Sequence, residues 1–247
     1  MSICIRKIDT RIVNHRIPPG LVVISHAGKH DTSRFVVVTV YGDDGLRGYG
    51  EAATVALWSG ESPETAEQMV RGVFAPLLLK KRFDHPREAL ALVDKAVYGN
   101  PFSKSAVDTA IWDLWARTQE VSVIQLIGDR PPPASIPTRA SVGAYPVAKT
   151  LKIAKHFWDA GVRTLKFKTG LPGMNDAARL RAVRDLLGNE PVFTVDYNGA
   201  FRNADDAVRA IKSLLPFRLA LVEQPTHRDR IGLLAEVRRR VRAPILA

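Results

Sequence analysis

Three short apolar runs each end in charge: LKFKTG (residues 165–170), VDYNGAF (195–201) and LVEQPT (221–226). Lys166 and Lys168 stand two apart in the first, Asp196 and Asn198 two apart in the second, and Glu223 closes the third. Residues two apart on a strand share a face. The two lysines therefore point one way with Phe167 opposed, and Asp196 and Asn198 point together with Val195 and Tyr197 opposed. Asp196 follows Lys168 by 28 positions and Glu223 follows Asp196 by 27, which is one strand-plus-helix repeat each time. The intervening NDAARLRAVRDLLG and ADDAVRAIKSLL have helical periodicity. The same alternation continues on both sides. TRASVGAY and VRTLKFK read as strands around the helix VAKTLKIAKHFWDAG, and LALVEQ and PILA as strands around the helix RIGLLAEVRRRV. Strands alternating with helices of this length predict βα units on a parallel sheet.

In a (β/α) barrel, functional groups sit at the C-terminal ends of the strands. Two lysines and two carboxylates are then expected at one mouth. Carboxylate oxygens around an open position suit a hard ion such as Mg²⁺. A lysine beside a divalent ion and a second lysine has its pKa pushed down toward the range of a general base. One charged residue at a strand end reads as a solvated loop residue. Three in register on consecutive strands favour a functional site.

Upstream the pattern differs. IRKIDTRIV and RFVVVTVYG are β-rich, GDDG is a turn, and LRGYGEAA resumes as a strand, which together predict an antiparallel meander. The glycines of GLRGYG lie within a strand pattern and not at a strand-to-helix junction, so they do not form a phosphate loop. Helical signals run from Ser62, a candidate N-cap with Pro63 behind it, to about Gln125. Ala106, Val107, Ala110, Ile111, Leu114 and Trp115 mark a buried helical face. DRPPPASIP (129–137) excludes helix and central strand, and divides the chain into domains 1–132 and 133–247. His26 and His30 have a metal-like spacing, but Ala27 and Gly28 between them disfavour the helix that such a pair needs, so both are placed in a loop.

The 247 residues carry a net charge of +11, with 46% hydrophobic and 25% charged residues, an ordinary globular composition. The densest basic run, RRRVR (238–242), falls at the end of an amphipathic helix, where cations complement the helix dipole. No nucleic-acid motif accompanies it, so no nucleic-acid partner is expected. No apolar run reaches the length of a membrane span and the N-terminus lacks an apolar leader core, so no membrane partner and a cytoplasmic location are expected. The single cysteine, Cys4, reads as a small buried hydrophobe of the first strand.

KFK, DYN and VEQP, in this order and spacing, resemble the enolase superfamily, specifically its mandelate racemase and muconate lactonizing enzyme family. GEAATVALWSGESPET and GNPFSKSAVDTAIWDL look most like the capping regions of muconate cycloisomerases. The resemblance implies an α/β chain: an α+β N-terminal capping domain, then the first part of an enolase-type modified (β/α) TIM barrel, ending after about the fifth strand. It implies Mg²⁺, with Mn²⁺ as an alternative, bound by Asp196 and Glu223. Lys168 is then the acid/base, Lys166 the partner that lowers its pKa, and Asn198 the support of the metal end of the site. Residues 15–31, a flexible segment, and the WSGES turn (58–62) match the two loops that close over substrate. The implied reaction removes a proton α to the carboxylate of a small-molecule substrate through a metal-stabilised enolate. Muconate lactonization leads, with N-acylamino-acid racemization, dipeptide epimerization and sugar-acid dehydration as alternatives, and a homo-oligomer is implied. The family's third carboxylate ligand follows the next strand and is expected just beyond Ala247, with the opposing lysine further on, which reads as a fragment or a truncated gene. The alternatives outside enzymology are a truncated binding protein and a basic polyanion-binding module.

Overall fold

The structure is a computed structural model in which residues 2–128 and 131–247 are described. Asp129 and Arg130, the first residues of the expected domain boundary, lie outside the described residues. The chain divides into two compact units: Met1–Arg16 with Thr32–Ala134, and Ile17–Asp31 with Ser135–Ala247.

The chain opens with β1 (Ile3–Arg16), a short hairpin of β2 (Val23–Ser25) and β3 (Gly28–His30), then β4 (Thr32–Gly42) and β5 (Arg47–Ala52). In the first unit, β4 pairs antiparallel with both β1 and β5. Alternation along β4 puts Val36, Val38 and Val40 wholly inside. Helices α1 (Ala56–Ser59), α2 (Pro63–Met69) and α3 (Ala75–Leu78) follow, the last two joined by a π-helical turn at Val70–Phe74. There the Ala75 amide donates to Val70. The next residue, Pro76, has no N–H for an α-helical bond, which accounts for the local widening. Ser62 caps α2 in a capping box with Thr65.

The stretch from Ser62 to Gln125 is mainly helical, as its signals predict, with one short strand between the helices. The backbone turns extended at Leu79 and left-handed at Lys80, and β6 (Arg82–Phe83) pairs with the start of β1, completing the sheet order β5-β4-β1-β6. Burial of Phe83 in the core and the ladder bonds to Ile3 and Cys4 outweigh local helix propensity there. Helices α4 (Pro86–Ala96), α5 (Pro101–Thr118) and α6 (Val123–Ile127) complete the unit. The six residues expected to face inward on α5 are all buried. A Cβ at Gly48 would stand 2.0 Å from the Ala110 carbonyl oxygen and one at Gly50 1.9 Å from that of Ala106. The glycines of GLRGYG therefore let α5 lie directly on β5.

The second unit is the expected alternation: β7 (Arg139–Val142), α7 (Val147–Asp159), β8 (Thr164–Lys168), α8 (Asp176–Leu187), β9 (Val192–Asp196), α9 (Ala204–Leu214), β10 (Leu219–Glu223), α10 (Ile231–Arg240) and β11 (Ile245–Leu246). The strands form one parallel sheet in the order β11-β10-β9-β8-β7. Leu165, Phe167, Phe193, Val195 and Val222 are fully buried against Leu180, Val183, Ile211 and Val237 of the helices. Each large side chain so removed from water contributes about 1.5–3 kcal/mol. The Phe167 and Phe193 rings meet edge-on at 4.8 Å.

Residues 15–31 also differ from the flexible segment expected. Val23–Ser25 and Gly28–His30 pair as a hairpin with His26 and Ala27 at its turn, where Gly28 has φ +116°. The Ala144 amide donates to the Ile24 carbonyl at 2.7 Å, and the Tyr145 hydroxyl to the Val22 carbonyl at 2.6 Å. Backbone pairing and a buried tyrosine hold a stretch whose composition reads as loop. Among the described residues no helix is long and apolar enough to cross a membrane.

Candidate active site

The parallel register puts Lys168 opposite Asp196 and Asp196 opposite Glu223, so three neighbouring strands end level with one another. Backbone bonds continue past the ends, from the Thr169 amide to the Asp196 carbonyl at 3.0 Å and from the Tyr197 amide to the Glu223 carbonyl at 3.1 Å. The five residues singled out in the sequence meet in one hydrogen-bonded cluster. Lys166 Nζ donates to Asp196 Oδ2 at 3.1 Å and to Glu223 Oε2 and Oε1 at 3.1 and 3.2 Å. Lys168 Nζ donates to Asp196 Oδ2 at 2.6 Å and to Asn198 Oδ1 at 2.9 Å.

Asn198 arrives by a route other than strand alternation. It lies two residues beyond β9 with φ +47°, and its amide donates to Asp196 Oδ1 at 2.9 Å. The turn, which asparagine tolerates, brings its side chain back beside Asp196. Tyr197 between them is buried on the opposite side, as alternation requires.

Burial pushes the Lys168 ammonium below the ordinary lysine range. The nearby Lys166 charge adds to this, while Asp196 and Glu223 oppose it. For Asp196, burial alone would raise the carboxyl pKa, but the Lys168 hydrogen bond and the two lysine charges outweigh it and hold the pKa below the usual carboxylate range.

Asp196 and Glu223 are the carboxylates of this cluster, and no group of three or more metal-ligating side chains occurs among the described residues. Two carboxylates on adjacent strand ends are donors of the type Mg²⁺ takes, an ion that keeps much of its shell as water or substrate oxygen. Here the same oxygens accept from Lys166 and Lys168. In chemical type the donor set fits a hard divalent ion.

Two residues, one in each unit, escaped the sequence reading. Arg139, at the start of β7, reaches Glu223 Oε2 at 3.5 Å and adds a third cation to the cluster. Glu61, within the WSGES turn of the first unit, is buried and accepts from the Phe102 amide at 2.8 Å, from the Ser103 amide at 2.9 Å and from the Ser103 hydroxyl. It thereby caps α5, whose own N-cap Asn100 turns its side chain to the Tyr98 carbonyl and caps no helix amide. Neither contact has a local signal, since each joins positions at least 40 residues apart. A cleft of about 740 Å³ bordered by Gly170, Asp176, Phe201 and Leu214 is lined by none of the five cluster residues.

Comparison with known proteins identifies the domains. Residues 7–128 match the mandelate racemase / muconate lactonizing enzyme N-terminal domain, and residues 149–247 match the enolase C-terminal domain-like family. An N-succinyl-L-Arg/Lys racemase from Bacillus cereus is 28% identical over 233 residues, covering 91% of this chain and 60% of the relative. A muconate cycloisomerase from Rhodococcus opacus is 29% identical over 217 residues, covering 86% of this chain and 57% of the relative. The dipeptide epimerase of Enterococcus faecalis, solved with Mg and the dipeptide L-Leu-L-Tyr, superposes with a TM-score of 0.87 at 25% identity, covering 98% of this chain and 67% of that one. The chain thus spans about 60% of the length of such curated relatives. The likeness to muconate cycloisomerases is shared with racemases and epimerases, so it does not separate these reactions. With both domains matched in order, the chain belongs to the mandelate racemase / muconate lactonizing enzyme family of the enolase superfamily.

Proposed function

We propose that this chain carries the proton-abstracting half of an isomerase site that acts α to the carboxylate of a small acid. An N-acylated amino acid or a dipeptide is the substrate class. The observation that carries the reading is the single cluster of Lys166, Lys168, Asp196, Asn198 and Glu223 on three consecutive strand ends. Relatives named as an N-succinyl-L-Arg/Lys racemase and an L-amino acid-D/L-Glu epimerase support the substrate class, and a muconate cycloisomerase of similar identity makes muconate the second reading.

Lys168 is the base. In its neutral form Nζ takes the α-proton: the C–H bond breaks, the N–H bond forms, and the electron pair moves into the substrate carboxylate. Burial shifts Lys168 toward this neutral form, against the pull of Asp196 and Glu223. Asn198 Oδ1 and Asp196 Oδ2 orient Nζ, which matters because small misplacements cost rate steeply. Lys166, bonded to Asp196 and Glu223, stands where negative charge develops, a role of preorganised electrostatics. Asp196 and Glu223 would hold Mg²⁺ or Mn²⁺, which when bound supplies further positive charge to the substrate carboxylate.

The test is ¹H NMR in D₂O with Mg²⁺, following loss of the α-proton signal from N-succinyl-L-arginine, L-Ala-L-Glu and a muconolactone control. Metal-dependent exchange of the first two is expected. Exchange confined to muconolactone would overturn the substrate class, and exchange in none would overturn the reaction.

A further inference from the structure

We propose that the buried ion pair of Arg179 and Asp176 is the positioning device for Lys168, gripping from behind the strand end that carries it. The inference rests on the reading of Lys168 as the base. Arg179 lies on the first turn of α8 and is 1% exposed, and it makes a directional bond with each of its nitrogens. Nη1 donates to the Lys168 carbonyl at 2.8 Å and to Asp176 Oδ1 at 2.7 Å. Nη2 donates to the Gly143 carbonyl at 2.6 Å, and Nε to Thr150 Oγ1 at 3.2 Å. The other oxygen of Asp176, Oδ2, accepts from the Gly170 amide at 2.8 Å. One ion pair thus holds the peptide groups on both sides of Thr169: the carbonyl of Lys168 and the amide of Gly170.

Capping of α8 does not require this arrangement, because Asn175 already accepts from the Ala178 amide. Stability does not require it either, since a buried ion pair gains little over well-packed apolar residues. What a planar guanidinium supplies, and an apolar side chain or a lysine cannot, is a rigid fork of donors with fixed directions. Here the fork joins the end of β8 to the residue just past β7 and to α7. On the front, Lys168 Nζ meets Asp196 and Asn198. On the back, Arg179 fixes the backbone from which that side chain extends. A proton acceptor has to be held to within about 0.5 Å, and this pair supplies the support.

The variants Arg179→Met, Arg179→Lys and Asp176→Asn of the full chain test the inference with two readouts. The first is competitive acetylation of lysines read by mass spectrometry, comparing Lys168 with the exposed Lys212. The second is α-proton exchange of N-succinyl-L-arginine. In Arg179→Met, the labelling of Lys168 relative to Lys212 should rise severalfold, and kcat should fall by about 10- to 100-fold with KM little changed. Added guanidinium ion should reverse part of both effects. Arg179→Lys should resemble Arg179→Met, and Asp176→Asn should show the same changes to a smaller degree, deciding the matter if the arginine variants do not fold. Unchanged Lys168 labelling and kcat in the folded variants, or a loss that guanidinium does not relieve, would overturn the inference. Absent exchange in the unsubstituted chain, or normal exchange in Lys168→Ala, would instead refute the role of Lys168 as base. The labelling ratios would still decide whether the ion pair holds that lysine.

Discussion

Replacing Glu61 with alanine should unfold the first unit far more readily than its place in a glycine-containing turn suggests. The side chain is 3% exposed and gives its two oxygens to the Phe102 and Ser103 amides and the Ser103 hydroxyl. These amides open an 18-residue helix that has no other side-chain cap. Removal leaves two buried backbone donors unpaired, at about 1–3 kcal/mol each. It also deletes a negative charge from the positive end of the helix dipole, worth about 0.3–2 kcal/mol. Together these span about 2–8 kcal/mol, and a loss of about 4 kcal/mol, near the middle, is expected. Glu61→Gln keeps one acceptor oxygen and should lose about half as much. The assay is urea unfolding followed by fluorescence of Trp112 and Trp115, both on α5, in a Trp58→Phe, Trp158→Phe background. With a urea dependence of about 2 kcal/mol per molar, the midpoint should fall by roughly 2 M for alanine and 1 M for glutamine. A fall under about 0.3 M for alanine, or equal falls for the two variants, would refute the capping role.

Gly50→Ala should destabilise the same unit by about 2 kcal/mol or more in urea, because the added Cβ would stand 1.9 Å from a helix carbonyl. The pH dependence of stability in EDTA should carry the signature of Asp196. Its folded pKa is depressed, so its contribution is complete above the unfolded value of about 3.9 and is lost as pH falls through the folded value. The stability difference between the parent chain and Asp196→Asn should therefore shrink below about pH 4, and a difference constant down to pH 2 would contradict the ion pairing. Tyr145→Phe leaves the Val22 carbonyl without its buried partner and should make residues 17–31 a new site of limited proteolysis beside the exposed 131–137 stretch. An unchanged digestion pattern would show that the hairpin is held by other means. Asp196→Asn with Glu223→Gln should abolish whatever Mn²⁺ binding electron paramagnetic resonance detects, and retained binding would move the ligand assignment elsewhere.

The barrel portion was legible in the sequence because its signals are local. Each strand is a short apolar run, each helix has its own periodic face, and a parallel register follows from equal spacing. Together these place Lys166, Lys168, Asp196 and Glu223 on one side from the sequence alone. Asn198 was found for a partly wrong reason, since a left-handed turn and not strand alternation returns its side chain to the cluster. Contacts that depend on distant partners were not legible. Glu61 caps a helix 40 residues away, Arg139 reaches Glu223 across the sheet, and Arg179 looks like one of many helical arginines until its burial is seen. The 82–83 strand and the 23–30 hairpin were missed for the same reason: their partners, the start of β1 and the residues after β7, decide their conformation.

The most direct test of the proposed chemistry is α-proton exchange into D₂O by the Lys168→Arg variant, measured beside the unsubstituted chain with Mg²⁺ and N-succinyl-L-arginine. A guanidinium stays protonated at any working pH and cannot accept a proton. Exchange should therefore occur with the unsubstituted chain and vanish in Lys168→Arg, while Mn²⁺ binding, which does not use the lysine, persists. Exchange by Lys168→Arg at a rate near that of the unsubstituted chain would show that the proton leaves by another route and would contradict the assignment of Lys168 as the base.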